Sequence, residues 1–139
     1  MNPLRCSRRV SLAVLACLVL CAGCKSKVPL APVSGKVTVG GQPVTAGQVA
    51  LVPEKGVAAA GLSAGKIESD GTWTIHTDGR SGAPLGKYKV TVTPAMTPTG
   101  SGPPAAPFHA SYQSAQTTPL RIEVVNAPSP DAYDLKLTR

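Results

Sequence analysis

The chain has 139 residues, room for one domain of ordinary size and too few for two. Gly and Pro contribute 14 each, only Trp73, Tyr88, Phe108, Tyr112 and Tyr133 are aromatic, and 15% of residues are charged, a composition that disfavours a helical bundle and points to turns. Two histidines leave little material for a metal cluster, and the formal charge of +7 argues for nucleic-acid binding only if it clusters on the folded part.

The charge is concentrated at the start. Arg5, Arg8 and Arg9 precede an uncharged run at 10–20, VSLAVLACLVL, which is too short to cross about 30 Å of hydrocarbon as a helix. A basic start, a short apolar stretch and small residues after it describe an export signal. The stretch ends Cys21-Ala22-Gly23-Cys24. This resembles the lipobox of bacterial lipoproteins, with Cys21 standing where Leu is usual. The resemblance implies a signal peptide over 1–23, cleavage after Gly23, and acyl chains such as palmitate on Cys24. Ser7-Arg8-Arg9 also resembles a twin-arginine signal, but Ser11 stands where that pattern takes an apolar residue, so ordinary Sec export is the reading.

All four cysteines (Cys6, Cys17, Cys21, Cys24) lie in this segment, so the mature chain keeps one, committed to lipid, and forms no disulfide. Removing 1–23 takes three arginines and no acid, leaving 11 Lys+Arg against 7 Asp+Glu, a net charge of +4. These charges are dispersed, so nucleic acid is not an expected partner. Lys25 and Lys27 beside the anchor would each gain about 1 kcal/mol against anionic headgroups.

Residues 24–32 carry Pro29 and Pro32 and read as the lipidated cysteine with a short extended tether. Val33, Val37 and Val39 then alternate with Ser34, Lys36 and Thr38, the period of a strand with one buried face. Gly40-Gly41 reads as a turn, and residues 48–52 as a second strand, burying Val49 and Leu51. A small-residue loop around 56–61 follows, and a third strand begins near Ala64.

Asp70-Gly71 is expected to supply the positive φ values of a tight hairpin, with Ile67, Trp73 and Ile75 inward and Thr72, Thr74 and His76 outward. Residues 78–86 read as a loop. Tyr88, Val90 and Val92 alternate with Lys87, Lys89, Thr91 and Thr93. Residues 94–107 hold five prolines and read as another loop. Leu120, Ile122 and Val124 form the next inward set, and Tyr133, Leu135 and Leu137 the last. About seven short strands with Gly/Pro turns and no helix predict an all-β fold, a β-sandwich over 33–139.

The runs VSGKVTVGGQPVTAGQVALVP, SDGTWTI, PLGKYKVTVTP, SYQSAQTTPLRIEVV and DAYDLKL together resemble the carboxypeptidase regulatory-like, transthyretin-like domain of small planctomycete-type lipoproteins, over about 33–138. The resemblance implies a prealbumin-like Greek-key sandwich. Transthyretin-like sandwiches include 5-hydroxyisourate hydrolases, which use histidines, an arginine and a Tyr-Arg-Gly-Ser terminus. This sequence reads Lys136-Leu137-Thr138-Arg139 there, and its histidines do not fall in the matching places.

Other chemistry finds few residues. His76 reads as an exposed strand residue and His109 as a surface loop residue, which leaves no zinc set. Asp70-Gly71 and Asp78-Gly79 lack the oxygen spacing of a calcium loop, and no Gly-x-Ser-x-Gly elbow is present. Related adhesin sandwiches cross-link a first-strand lysine to an Asn or Asp near the last strand. Lys36, Asn126 and Glu68 have those residue types, although strand parity turns Lys36 and Glu68 away from the core.

The sequence therefore predicts a non-enzymatic domain without cofactor or metal, held by its lipid at the extracytoplasmic face of the cell membrane or outer membrane. Its expected partner is an envelope protein or polysaccharide, engaged through sheet edges or the 94–107 loop. The alternatives are an envelope enzyme, an accessory subunit or a carbohydrate-binding module. The last would want exposed aromatics, and parity turns Trp73, the one tryptophan, inward.

Overall fold

A computed structural model describes residues 28–58, 61–95 and 106–139. The export signal, Cys24 and most of the proline-rich loop lie outside them. Within them the chain is all-β: β1 (Ser34–Val39), β2 (Gln42–Pro43), β3 (Gly47–Pro53), β4 (Ser63–Ile67), β5 (Thr72–Thr74), β6 (His76–Thr77), β7 (Arg80–Ser81), β8 (Gly86–Pro94), β9 (Arg121–Val124) and β10 (Leu135–Leu137). Among the described residues one 3-10 turn, Ala110–Gln113, precedes β9. Among the described residues no helix is long and apolar enough to cross a membrane.

The strands join in one curled sheet of order β10-β1-β5-β4-β3-β8-β9, with β2 beside β1 and the β6–β7 hairpin beside β4. The pairs are antiparallel except β1 with β10, which run parallel from Val37↔Leu135 to Val39↔Leu137. The longest pairing, β3 with β8, runs from Gly47↔Pro94 to Pro53↔Tyr88. Each of these strands ends on a proline, which cannot donate a further ladder bond.

Period-2 alternation places the core as expected. Val33, Val37, Val39, Val49, Leu51, Ile67, Trp73, Ile75, Tyr88, Val90, Val92, Ile122, Val124, Tyr133, Leu135 and Leu137 are all buried, while Leu120, read as inward, is only partly buried against them. Ala31, Val44, Ala83, Phe108 and Tyr112 complete the core without having been signalled by alternation. Phe108 and Tyr112 meet edge to face, with ring centroids 6.4 Å apart. Their segment ties down the end of β10: His109 N–H donates to Thr138 O at 3.0 Å, and the Tyr112 and Thr138 hydroxyls are 3.0 Å apart.

The turns depart from expectation in an instructive way. Gly40 (φ 57°) and Gly41 (φ 85°) form the two-residue turn between β1 and β2. Asp70-Gly71 does not form such a turn, because only Gly71 has positive φ (84°). Gly71 N–H donates to Glu68 O and Glu68 N–H to Thr72 O, which makes a three-residue loop ending on a left-handed glycine. A second two-residue turn with both residues at positive φ is Asp78-Gly79 (48° and 77°), joining β6 to β7 inside the stretch read as a loop.

Candidate functional site

Where the chain comes into the sheet is the most built feature outside the core. Ala31 and Ala83 exchange backbone hydrogen bonds of 2.9 and 3.0 Å, and both side chains are buried. The carbonyl of Ala31 lies where a Cβ on Gly82 would stand, so only glycine permits this approach. The Arg80 guanidinium reaches Val28 O with both terminal nitrogens at 3.4 Å. The stretch read as a tether over 24–32 is thus stitched to the sheet at Ala31, leaving three residues between Cys24 and the first described position, Val28.

A buried hydroxyl pair supports that junction. Thr77 Oγ1 donates to Gly82 O at 2.7 Å and lies 2.8 Å from Ser63 Oγ. A hydroxyl has one proton, so Ser63 is the donor to Thr77. The pair links β4 through β6 to the Gly82–Ala83 backbone that receives Ala31. Thr77→Val should cost about 2 kcal/mol in urea unfolding, since it strands both the Gly82 carbonyl and the Ser63 hydroxyl. It should also speed amide exchange at Ala31 and Ala83. An unchanged midpoint would remove the pair from any role in holding the N-terminal segment.

The other candidate residues are dispersed. His76 is exposed on β6. His109 is exposed and caps the 3-10 turn, its Nδ1 accepting from Ser111 N–H at 3.2 Å. Lys36, Glu68 and Asn126 are all exposed, so no buried acid assists an amide cross-link. The Lys36 backbone N–H donates to Asp134 Oδ1 at 2.9 Å, a structural tie between the start of β1 and the approach to β10. Among the described residues no three His, Cys, Asp or Glu side chains converge as a metal set would require.

Among the described residues two ionisable groups depart from their ordinary behaviour, each for a local reason. The hydroxyl and backbone N–H of Thr72 both donate to Asp70 and hold its carboxyl below the usual value of 3.8. Burial raises the Tyr88 phenol above 10.0, and its hydroxyl donates to Pro84 O at 2.9 Å. Asp70 stabilises its turn above the ordinary carboxylate pKa and ceases to do so as pH falls through its lowered one. Tyr88 has the opposite sign, its contribution being lost as pH rises beyond 10.

An open recess of about 590 Å³ lies between the end of β3 and Ala115-Gln116, with Lys55, Lys87 and Lys89 along it. Lys89 Nζ is held by Ala115 O at 3.1 Å, and beside it Glu54 pairs with Arg121 at 3.0 Å. The exposed ends of the sheet are partly closed as well. β9 is the last strand on one side, and Val125 N–H just beyond it donates to the Tyr133 hydroxyl at 3.3 Å, while on the other side His109 N–H donates to Thr138 O just beyond β10. No protein-family model, curated protein or solved structure matches the chain.

Proposed function

We propose that this chain is a lipid-anchored protein of the extracytoplasmic face, its lipid on Cys24, whose domain binds or supports a partner of the cell envelope without catalysing a reaction. The observation that carries this reading is the succession of three arginines, an 11-residue apolar run and Cys21-Ala22-Gly23-Cys24. The way the domain takes up the chain supports it. With Ala31 locked to Ala83 and three residues between Cys24 and Val28, the fold begins where a short membrane tether would deliver it. Several acyl chains at about 0.8 kcal/mol per buried CH₂ then make attachment effectively permanent.

The finer architecture belongs to the same proposal: a prealbumin-like Greek-key sandwich of the carboxypeptidase regulatory-like type. The curled order of the strands, with β10 parallel to β1 and β9 tied back through Tyr133, suits two layers enclosing one core. The non-catalytic reading draws on how the buried hydroxyls are used. Those of Ser63, Thr77, Thr118 and Tyr88 are all engaged in internal hydrogen bonds that hold strands or turns.

The test is fractionation of cells producing the wild type and Cys24→Ala, with mass spectrometry of the mature N-terminus. The wild type is expected in membranes with a diacylglyceryl group on Cys24, and the variant is expected to lose the modification and stay unprocessed. An unmodified wild type, or cleavage at another residue, would overturn the anchor.

A further inference from the structure

We infer that the domain does not swing free on its anchor but rests on the lipid surface through Leu62, Leu85 and Val125, apolar side chains exposed at one end of the sheet; this rests on the lipid-anchored reading above. Among the described residues these three are the large hydrophobic side chains left exposed, at 72%, 40% and 39%. Single exposed apolar residues scattered over a surface need no explanation. These three share one end of the sheet, just before β4, just before β8 and just after β9, and each connects by a few steps to the place where the chain comes in.

Leu85 stands two residues after Ala83, the partner of Ala31, which sets the two Cα atoms about 7 Å apart at most. Val125 stands one step beyond the Gly86↔Val124 pair and Leu85 one step before it, so the two lie across from each other at one end of β8 and β9. Leu62 precedes Ser63, which pairs with Thr77, which pairs with Arg80, whose guanidinium holds Val28 O. Two strand spacings, about 10 Å, separate Ser63 from Arg80.

The tether decides what covers this end of the sheet. Four Cα–Cα steps separate Cys24 from Val28, a reach of about 14 Å when fully extended. A lipid on Cys24 therefore keeps the side of the domain carrying Val28, Arg80 and Ala31 within that distance of the acyl chains. Apolar side chains at this range gain by entering the headgroup boundary, where an interfacial element sits some 5–10 Å deep. Asp78 lies against Gly61 on the same side and offsets Arg80. Lys25 and Lys27 beside the anchor add attraction for anionic headgroups, so neutral lipid isolates the apolar part of the contact.

The experiment uses the full chain, matured and acylated in cells, purified from membranes and reconstituted in phosphatidylcholine vesicles. Lipidation consumes Cys24, so Leu62→Cys, Leu85→Cys or Ser69→Cys each supplies one thiol for an environment-sensitive fluorophore. Ser69 is exposed in the turn at the opposite end of β4 from Leu62. Lipids spin-labelled high on the acyl chain should quench the probes at 62 and 85 about two-fold and leave the probe at 69 unchanged.

Equal quenching at all three positions, or none at 62 and 85 while the protein floats with the vesicles, overturns the resting contact and leaves the anchor standing. A blue shift at 62 and 85 without quenching puts a protein surface, such as a second copy, over these side chains and also overturns the contact. Protein that carries no lipid and does not float removes the anchor and the contact together.

Discussion

Trp73→Ala is expected to destabilise the domain by about 3–5 kcal/mol, a large share of the 5–15 kcal/mol by which domains of this kind are stable. Trp73 is 1% exposed and the largest fully buried side chain among the described residues. It lies on β5 opposite Ile67 of β4 and Gly35 of β1, so one ring packs where three strands meet. Its Cζ2 comes within 3.2 Å of the place a Cβ on Gly35 would occupy, and the absent side chain of Gly35 makes room for the indole. Truncation would open a void with backbone on one side, which a sheet cannot close by moving a single side chain.

Trp73→Phe separates packing from polarity. The indole Nε1 is buried and finds no acceptor among the described residues. Removing an unsatisfied donor recovers about 1–3 kcal/mol of desolvation cost, so the phenylalanine variant should keep most of the stability that alanine loses. Urea unfolding followed by far-ultraviolet circular dichroism is the appropriate readout, because these variants lack the sole tryptophan fluorophore. If alanine costs less than about 1 kcal/mol, the junction of β1, β4 and β5 is not a well-packed centre. If phenylalanine costs as much as alanine, ring volume and not the unpaired N–H governs the site.

Alternation made most of this core legible because a half-buried strand repeats every two residues and the chain is almost entirely strand and turn. Val44 escaped because it stands alone between Pro43 and Thr45, with no second apolar residue to set a period. Phe108 and Tyr112 lie in an irregular segment where aromatic character is the only local signal. Thr77 continues the inward parity of Trp73 and Ile75, yet a hydroxyl reads as surface until its partners Ser63 and Gly82 are seen. Asp70-Gly71 and Asp78-Gly79 are the same dipeptide in two different turns. The register of β4 against β5 and of β6 against β7 decides between them, and register is a long-range property.

The surface near the N-terminal segment was less legible for a related reason. Leu62 and Leu85 are residues of a type that usually fills a core, and only the observed strand ends show that they remain outside. Cys24 was read from an export pattern that depends on no fold. The Ala31–Ala83 bridge, by contrast, joins two small residues with no periodicity around either, and small side chains permit close backbone approach without announcing it.

Gly65→Ala should cost about 3 kcal/mol, far above what a glycine-to-alanine change in a strand ordinarily does. Gly65 has negative φ, so its conformation does not demand glycine. Space does: a Cβ there would overlap the Thr74 carbonyl oxygen, with Thr74 C only 2.8 Å away and Ile75 N at 3.3 Å. Both close groups are backbone and have no rotamer to escape into. Gly41 is the contrasting case, with φ of 85° and nothing within 4 Å, and Gly41→Ala should cost the conformational penalty alone, about 1–2 kcal/mol. The crowding at Gly65 also has a reach. Residues 74–75 lie over it while Ile75 N–H donates to Val33 O at 2.9 Å and Ile75 O accepts from Gly82 N–H at 2.7 Å. A methyl group at position 65 pushes this backbone towards the segment that carries Ala31, so exchange at the Ile75 and Gly82 amides should rise with the loss of stability. Should Gly65→Ala match Gly41→Ala and leave those two amides protected, the close approach of Thr74 is not what positions the N-terminal segment.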